Sequence, residues 1–218
     1  VFASNSTYTN PLKAVEFFKK TGVDALAISY GTMHGASKGK DVKLRKQIPT
    51  AIRECLNHEG IRGGLVSHGS STVPKYIVDE INALGGNIQN AYGISLAELK
   101  EAITCGINKI NVDTDIRLAV TRNMKELFAG YPELRESPSI GGVYQLLENN
   151  KDQFDPRVFL PPVMDTVMYG NIPDGDVARL MECVEKGVKE AVGTLIVQFG
   201  AYGKAPLVKR PSLEEMKE

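Results

Sequence analysis

Val23-Asp24-Ala25-Leu26-Ala27-Ile28-Ser29, Gly64-Leu65-Val66-Ser67 and Ile107-Asn108-Lys109-Ile110-Asn111-Val112 are three short apolar runs, each set between helix-like stretches. Runs of this length and composition suit parallel strands, covered by helices on one side and by a filled barrel interior on the other. The intervening helices carry their own signals. Asn10 and Pro11 open a helix that stops at Gly22, with Val15 and Phe18 facing inward. Leu44, Ile48, Ile52 and Cys55 repeat at helical spacing before Gly60, and Pro74 opens a third helix through Ile77, Val78 and Ile81. Ser95 with Glu98 reads as a capping box for a fourth, ending at Gly106. Val120, Met124 and Leu127 mark a fifth after the last strand. Right-handed βα units in this order build an open doubly wound sheet or a closed eight-stranded barrel, and three strands alone cannot close a barrel.

From about Gly130 the character changes to helical segments punctuated by Pro and Gly. The longest, near 174–199, places Leu180, Val184, Val188, Ala191, Leu195 and Ile196 on one face. The chain therefore divides into a βα part, 1–130, and a helical extension, 131–218, packed on it.

With 218 residues there is enough chain for one sizeable core. The 26 basic and 26 acidic residues cancel, which gives no reason to expect nucleic acid or an anionic membrane as partner. Apolar runs are too short to span a bilayer, and no basic segment leads into an apolar one at the N-terminus. The expected location is cytoplasmic. The sequence starts at Val1 rather than Met, which fits a trimmed or incomplete chain. Cys55, Cys105 and Cys183 are odd in number and widely spaced, so reduced buried thiols are expected.

Each strand is followed by polar, Gly-containing residues: Gly31-Thr32-Met33-His34-Gly35, His68-Gly69-Ser70-Ser71 and Asn111-Val112-Asp113-Thr114-Asp115. In α/β proteins the C-terminal strand ends form the active-site face, so the three loops should converge. His34 and His68 hold equivalent positions after successive strands, each before a Gly. Two imidazoles so placed can share a metal, and imidazole suits zinc, although a catalytic zinc uses three protein ligands. A single His in such a place is otherwise a satisfied hydrogen-bonded residue. Gly35 and Gly69 allow an oxyanion to approach backbone N–H groups, and Lys38, Ser71 and Thr114 add a charge and hydroxyls. Together they read as a phosphate cradle; singly, each glycine is turn punctuation. Asn111 and Asp113, two apart, point to one side. The amide suits a developing enolate oxygen and the carboxylate a sugar hydroxyl. An Asx turn with a helix N-cap is the structural alternative.

At these loops the sequence resembles the class II fructose-bisphosphate aldolases. The matching stretches are YGTMHGASKG (30–39), LVSHGSSTVP (65–74) and KINVDTDIRLA (109–119), with TGVDALAIS, GGNIQNAYGIS and FDPR (154–157) besides. The likeness runs over about 8–165 and resumes at FGAYGKA, 199–205. It implies a (β/α)₈ TIM barrel of which this chain supplies about the last three strands plus a helical C-terminal extension, the N-terminal half being missing. It implies zinc-assisted, reversible cleavage of fructose 1,6-bisphosphate to dihydroxyacetone phosphate and glyceraldehyde 3-phosphate, in glycolysis, gluconeogenesis or the Calvin cycle. His34 and His68 match metal ligands. Gly35, Lys38, Gly69, Ser70, Ser71 and Thr114 match phosphate-binding positions, with Val112 in the same substrate-binding loop. Asn111 and Asp113 match substrate contacts, Asn111 being the catalytic one. Arg117 matches an arginine lent across a subunit interface to the second phosphate. The resemblance also implies Zn²⁺ or another divalent metal, K⁺ or Na⁺ beside the phosphate, and a homodimer or homotetramer. Met33 and Ser37 depart from the family pattern, the Asp-His pair carrying the proton-transferring aspartate and third ligand does not occur, and 132–150 and 168–190 read as insertions. Aldolases of tagatose or sedoheptulose bisphosphate, and a noncatalytic phosphate- and metal-binding half, are the alternatives.

Overall fold

The computed structural model describes residues 8–34, 39–169 and 175–209. Helix α1 spans Pro11–Thr21, and its start follows from chemistry at two residues. Asn10 Oδ1 accepts from the amides of Leu12 (3.0 Å) and Lys13 (3.2 Å), and Pro11 presets the first helical φ. It ends where Gly22 turns left-handed at φ 66° and donates to Phe18 O. Strand β1 (Ala25–Ala27), α2 (Gln47–His58), β2 (Gly64–Ser67), α3 (Lys75–Ala83), α4 (Leu96–Thr104), β3 (Lys109–Ile110) and α5 (Thr114–Gly130) follow in the order read from sequence.

The three strands form one parallel sheet, β1-β2-β3, with Leu26 opposite Leu65 and Ser67 opposite Ile110. The fold is thus α/β. The outer strands are shorter than their apolar runs because each has a neighbour on one side only. Ladder bonds nonetheless continue past the assigned ends, from Ile28 N to Val66 O and from Asn111 N to Ser67 O. One sheet face carries Leu26, Leu65 and Ile110 onto α1, α2 and α4, where Phe18, Ile52, Leu56, Leu99 and Ala102 complete the core. On the opposite face Ala25, Ala27 and Lys109 are exposed.

Beyond α5 the chain is helical: α6 (Gly141–Asn149), α7 (Pro156–Phe159), α8 (Pro161–Met168) and α9 (Gly175–Gln198), with 3₁₀ turns at Pro132–Glu136 and Ala205–Leu207. Helix α5 joins two apolar clusters, one with α6 to α9 through Met124 and Phe128, the other with α3 through Leu118 and Ala119. The inward face of α9 is Val177, Leu180, Cys183, Gly187 and Ala191, while Val188 and Ile196 are exposed. This face is rotated from the apolar stripe expected from sequence. The reason is Gly187, where a Cβ would stand 2.9 Å from Val120 Cα, so the helices meet backbone to backbone. Among the described residues, no helix is long and apolar enough to cross a membrane. All three cysteines are free; Cys183 is buried, Cys55 and Cys105 only partly.

Candidate active site

The loops after β1, β2 and β3 meet at one end of the sheet, and a glycine makes the meeting possible. Gly69 is left-handed at φ 63°, and a Cβ there would lie 2.7 Å from Met33 C and 2.9 Å from His34 N. A side chain would force the two histidine-bearing loops apart. As it is, the His34 and His68 rings lie with centroids 5.8 Å apart, tilted by 48°.

Asn111 joins them from β3. Its Nδ2 is 3.2 Å from His68 Nδ1 and 3.1 Å from His68 Nε2, and donates to whichever ring nitrogen lacks a proton. Lys109 Nζ donates to Asn111 Oδ1, which fixes the amide's orientation. Sequence reading gave Lys109 no role, although its place two residues before Asn111 on a strand puts both on one face.

A second constellation lies beside the first. Ser71 Oγ accepts from Asp113 N (3.2 Å) and Thr114 N (3.1 Å), so the β2 loop is tied to the N-terminus of α5. Asp113 precedes α5 without capping it; its carboxylate takes Arg117 Nε at 2.8 Å instead. Thr114 is buried at 7% exposure. The Ser70 hydroxyl points inward, at 2.6 Å from Ser67 Oγ, which also bonds the buried Tyr30 hydroxyl. Burial pushes the Tyr30 phenol up, and the bond to Ser67 opposes this. Asp115, also unforeseen, accepts from Thr72 N at 2.9 Å and from the Thr72 hydroxyl. Its carboxyl is raised by burial, against the Thr72 bonds. Val112 is half-buried between Asn111 and Asp113. Gly35 and Lys38 lie outside the described residues.

Arg117 is engaged on both sides within its own chain, with Asp113 (2.6 Å to Nη2) and with Asp155. Asp155 also receives Arg157 at 2.6 Å and caps α7 by accepting from Arg157 N. Its carboxyl is held down first by the Arg157 bond. Asp155 and Arg157 belong to the FDPR stretch, whose Asp-Pro pair signals a helix start but no site.

The profile described as "Fructose-bisphosphate aldolase class-II" matches residues 1–204. The chain belongs to that family. It is 38% identical over 207 residues to "Fructose-bisphosphate aldolase class 2" of Synechocystis sp., covering 95% of this chain and 46% of that one. It is 35% identical over 210 residues to the fructose-bisphosphate aldolase of Giardia intestinalis, covering 96% and 52%. The chain thus spans about half the length of the curated relatives it matches. Among solved structures, the YdjI aldolase of Escherichia coli K12 superposes with TM-score 0.50 at 25% identity, covering 91% of this chain and 47% of that one. Fructose-bisphosphate aldolase of Campylobacter jejuni does so with TM-score 0.51 at 16% identity, covering 91% and 48%.

Class II aldolases are metal-dependent, so the histidine pair can be tested for fit. Two imidazoles on a tetrahedral zinc with Zn–N near 2.0–2.1 Å have ring centroids about 5 Å apart. The observed 5.8 Å is within a small side-chain adjustment of that. His34 and His68 fit as two ligands, provided that the unprotonated nitrogen of His68 exchanges the Asn111 amide for the metal. Among the described residues no cluster of three His, Cys, Asp or Glu side chains could hold a metal.

Proposed function

We propose that this chain carries the metal- and phosphate-binding half of a fructose-bisphosphate aldolase site. The observation that carries the reading is the His34–His68 pair, with Asn111 against it and the Ser71 cradle alongside. The exposed face of Ala25, Ala27 and Lys109 fits the interior of a (β/α)₈ barrel whose other strands lie in an N-terminal half. In this reading 1–130 form the barrel half and 131–218 the helical extension.

His34 and His68 would hold zinc, which when bound polarises the ketone carbonyl as a Lewis acid. The Asn111 amide donates to the substrate oxygen that gains charge as C3 loses its proton. Asp113, steadied by Arg117, accepts from a substrate hydroxyl. Ser71 and Thr114 donate to the phosphate of dihydroxyacetone phosphate, with backbone of Gly69, Ser70 and Val112 in the same set; Gly35 and Lys38, which the family resemblance adds to it, lie outside the described residues. Arg117 would serve the distal phosphate of a neighbouring subunit in a homo-oligomer, which requires it to leave Asp155. The proton-transferring aspartate and third ligand come from the N-terminal half. The absence of a three-ligand cluster among the described residues favours a second reading for the chain by itself, a binding half without catalysis.

Coupled assay of dihydroxyacetone phosphate release from fructose 1,6-bisphosphate tests the proposal. The complete barrel should cleave, lose activity to chelators, and fall by roughly 10²-fold or more in His34→Ala or His68→Ala, beyond what removal of a ligand's supporting partner costs. The 218-residue chain alone should not cleave. Unchanged cleavage in both histidine variants would remove them from the site.

A further inference from the structure

Behind the Ser70-Ser71-Thr72 turn sits a carboxylate that touches none of the groups assigned to substrate or metal. Asp115 is 3% exposed, and both its oxygens face Thr72 N, at 3.1 and 2.9 Å, with the Thr72 hydroxyl bonded to the same carboxylate. The turn it grips is not a relaxed one. Val73 is β-branched yet left-handed, at φ 51°, a conformation that persists only when its surroundings over-determine it.

Three contacts supply that. Asp115 takes the donors of Thr72 from one side. Gly93 closes the other, where a Cβ would lie 2.2 Å from Thr72 C and O. Ile94 N donates to Ser71 O at 3.0 Å. With the turn held, Ser71 Oγ stands where it meets the amides of Asp113 and Thr114. Asp115 is therefore one residue from the cradle along the β2 loop and one residue from it along α5.

We propose that Asp115 is a positioning residue, which holds the strained Thr72–Val73 turn so that Ser71 and Thr114 face the substrate phosphate together. This rests on reading the loop as a phosphate cradle. Asp115→Ala removes both acceptors, so Thr72 N and the Thr72 hydroxyl lose their carboxylate bonds; Asp115→Asn is the milder change, because its Oδ1 keeps Thr72 N while the Thr72 hydroxyl turns to accept from Nδ2. The cradle should loosen while the histidine pair, on the other side of the loop, stays put.

The test is the thermal midpoint of the purified chain with and without dihydroxyacetone phosphate, with zinc affinity measured in parallel. A ligand that binds only the folded state raises the midpoint by an amount set by its Kd. Asp115→Ala should weaken dihydroxyacetone phosphate at least tenfold and leave zinc affinity within twofold, and Asp115→Asn should weaken it less. Thr72→Val, which keeps the carboxylate and the backbone donor, should weaken it less, and the double variant no more than Asp115→Ala alone. Thr72→Val carries the test if the alanine variant does not fold. A fall in midpoint that is equal with and without ligand would make Asp115 merely structural and overturn the proposal. No ligand-dependent gain in the wild-type chain would overturn the phosphate reading and this proposal with it.

Discussion

Lys125 is 5% exposed on α5, and its Nζ meets no hydrogen-bond partner among the described residues. A buried ammonium has lost water and gained nothing in exchange, so burial pushes its pKa down, against a weaker pull from Glu148. The unfolded chain then keeps this proton to higher pH than the folded one. Stability from this group is lowest below the folded pKa, rises with pH up to the unfolded value near 10.4, and is flat above it. Lys125→Met should raise the unfolding free energy by ~1–3 kcal/mol at neutral pH in urea titrations, and remove that alkaline rise. Wild-type stability falling across the same pH window would contradict the assignment. Cys183 is buried as well, and burial pushes its thiol up to about 12. At pH 8, iodoacetamide should label the partly exposed Cys55 and Cys105 in the native chain and Cys183 only after unfolding, as mass spectrometry of the peptides would report. The reactive forms of the three thiols were alike in sequence, because burial of a helix residue depends on which neighbour covers it.

Elements meet through two glycines, and at the first of them replacement has opposite local and tertiary consequences. In α9, Gly187→Ala gains helix propensity of about 1 kcal/mol. The added methyl lands on the backbone of Val120 and Ala119, which cannot move aside as a side chain would. Overpacking of ~1–3 kcal/mol should win, and denaturant titration should show net destabilisation. Net stabilisation would mean the α5–α9 contact is looser than described. Gly69→Ala acts on the site instead, since both its positive φ and the closeness of Met33 resist a Cβ. Zinc affinity measured by chelator competition should fall at least about tenfold, as supporting positions of metal sites do. Helix ends and strand order were legible because caps and apolar runs are local signals: Asn10, Gly22 and Ser95 act as read. The inward face of α9 was not, since a glycine at a helix contact leaves no mark on an apolar stripe. Nor did the capping box close, because Glu98 turns to Leu44 N and Lys46 rather than back to Ser95.

At the scale of the molecule, the sheet has helices on one face and the exposed Ala25, Ala27 and Lys109 beside a buried Val66 on the other, and the three chemically rich loops gather at one end. That gathering was legible, because it follows from parallel strands whose C-terminal ends share an edge. The long-range supporting contacts were not: Asp115 on Thr72 and Tyr30 on Ser67 join residues that no spacing rule relates. Arg117 shows the reverse, a residue placed by family resemblance whose guanidinium is here held by Asp113 and Asp155. Arg117→Lys in the complete enzyme should weaken bisphosphate cleavage by losing the paired hydrogen bonds lysine cannot form, with zinc content unchanged. Unaltered bisphosphate kinetics would leave Arg117 a structural link alone. The central claim is that His34 and His68 share one metal, and zinc-edge X-ray absorption of the zinc-loaded chain tests it most directly. Two imidazole nitrogens at about 2.0 Å, reduced to one in His34→Ala and in His68→Ala, are the predicted result. A zinc shell without histidine, or one that neither substitution alters, would contradict it.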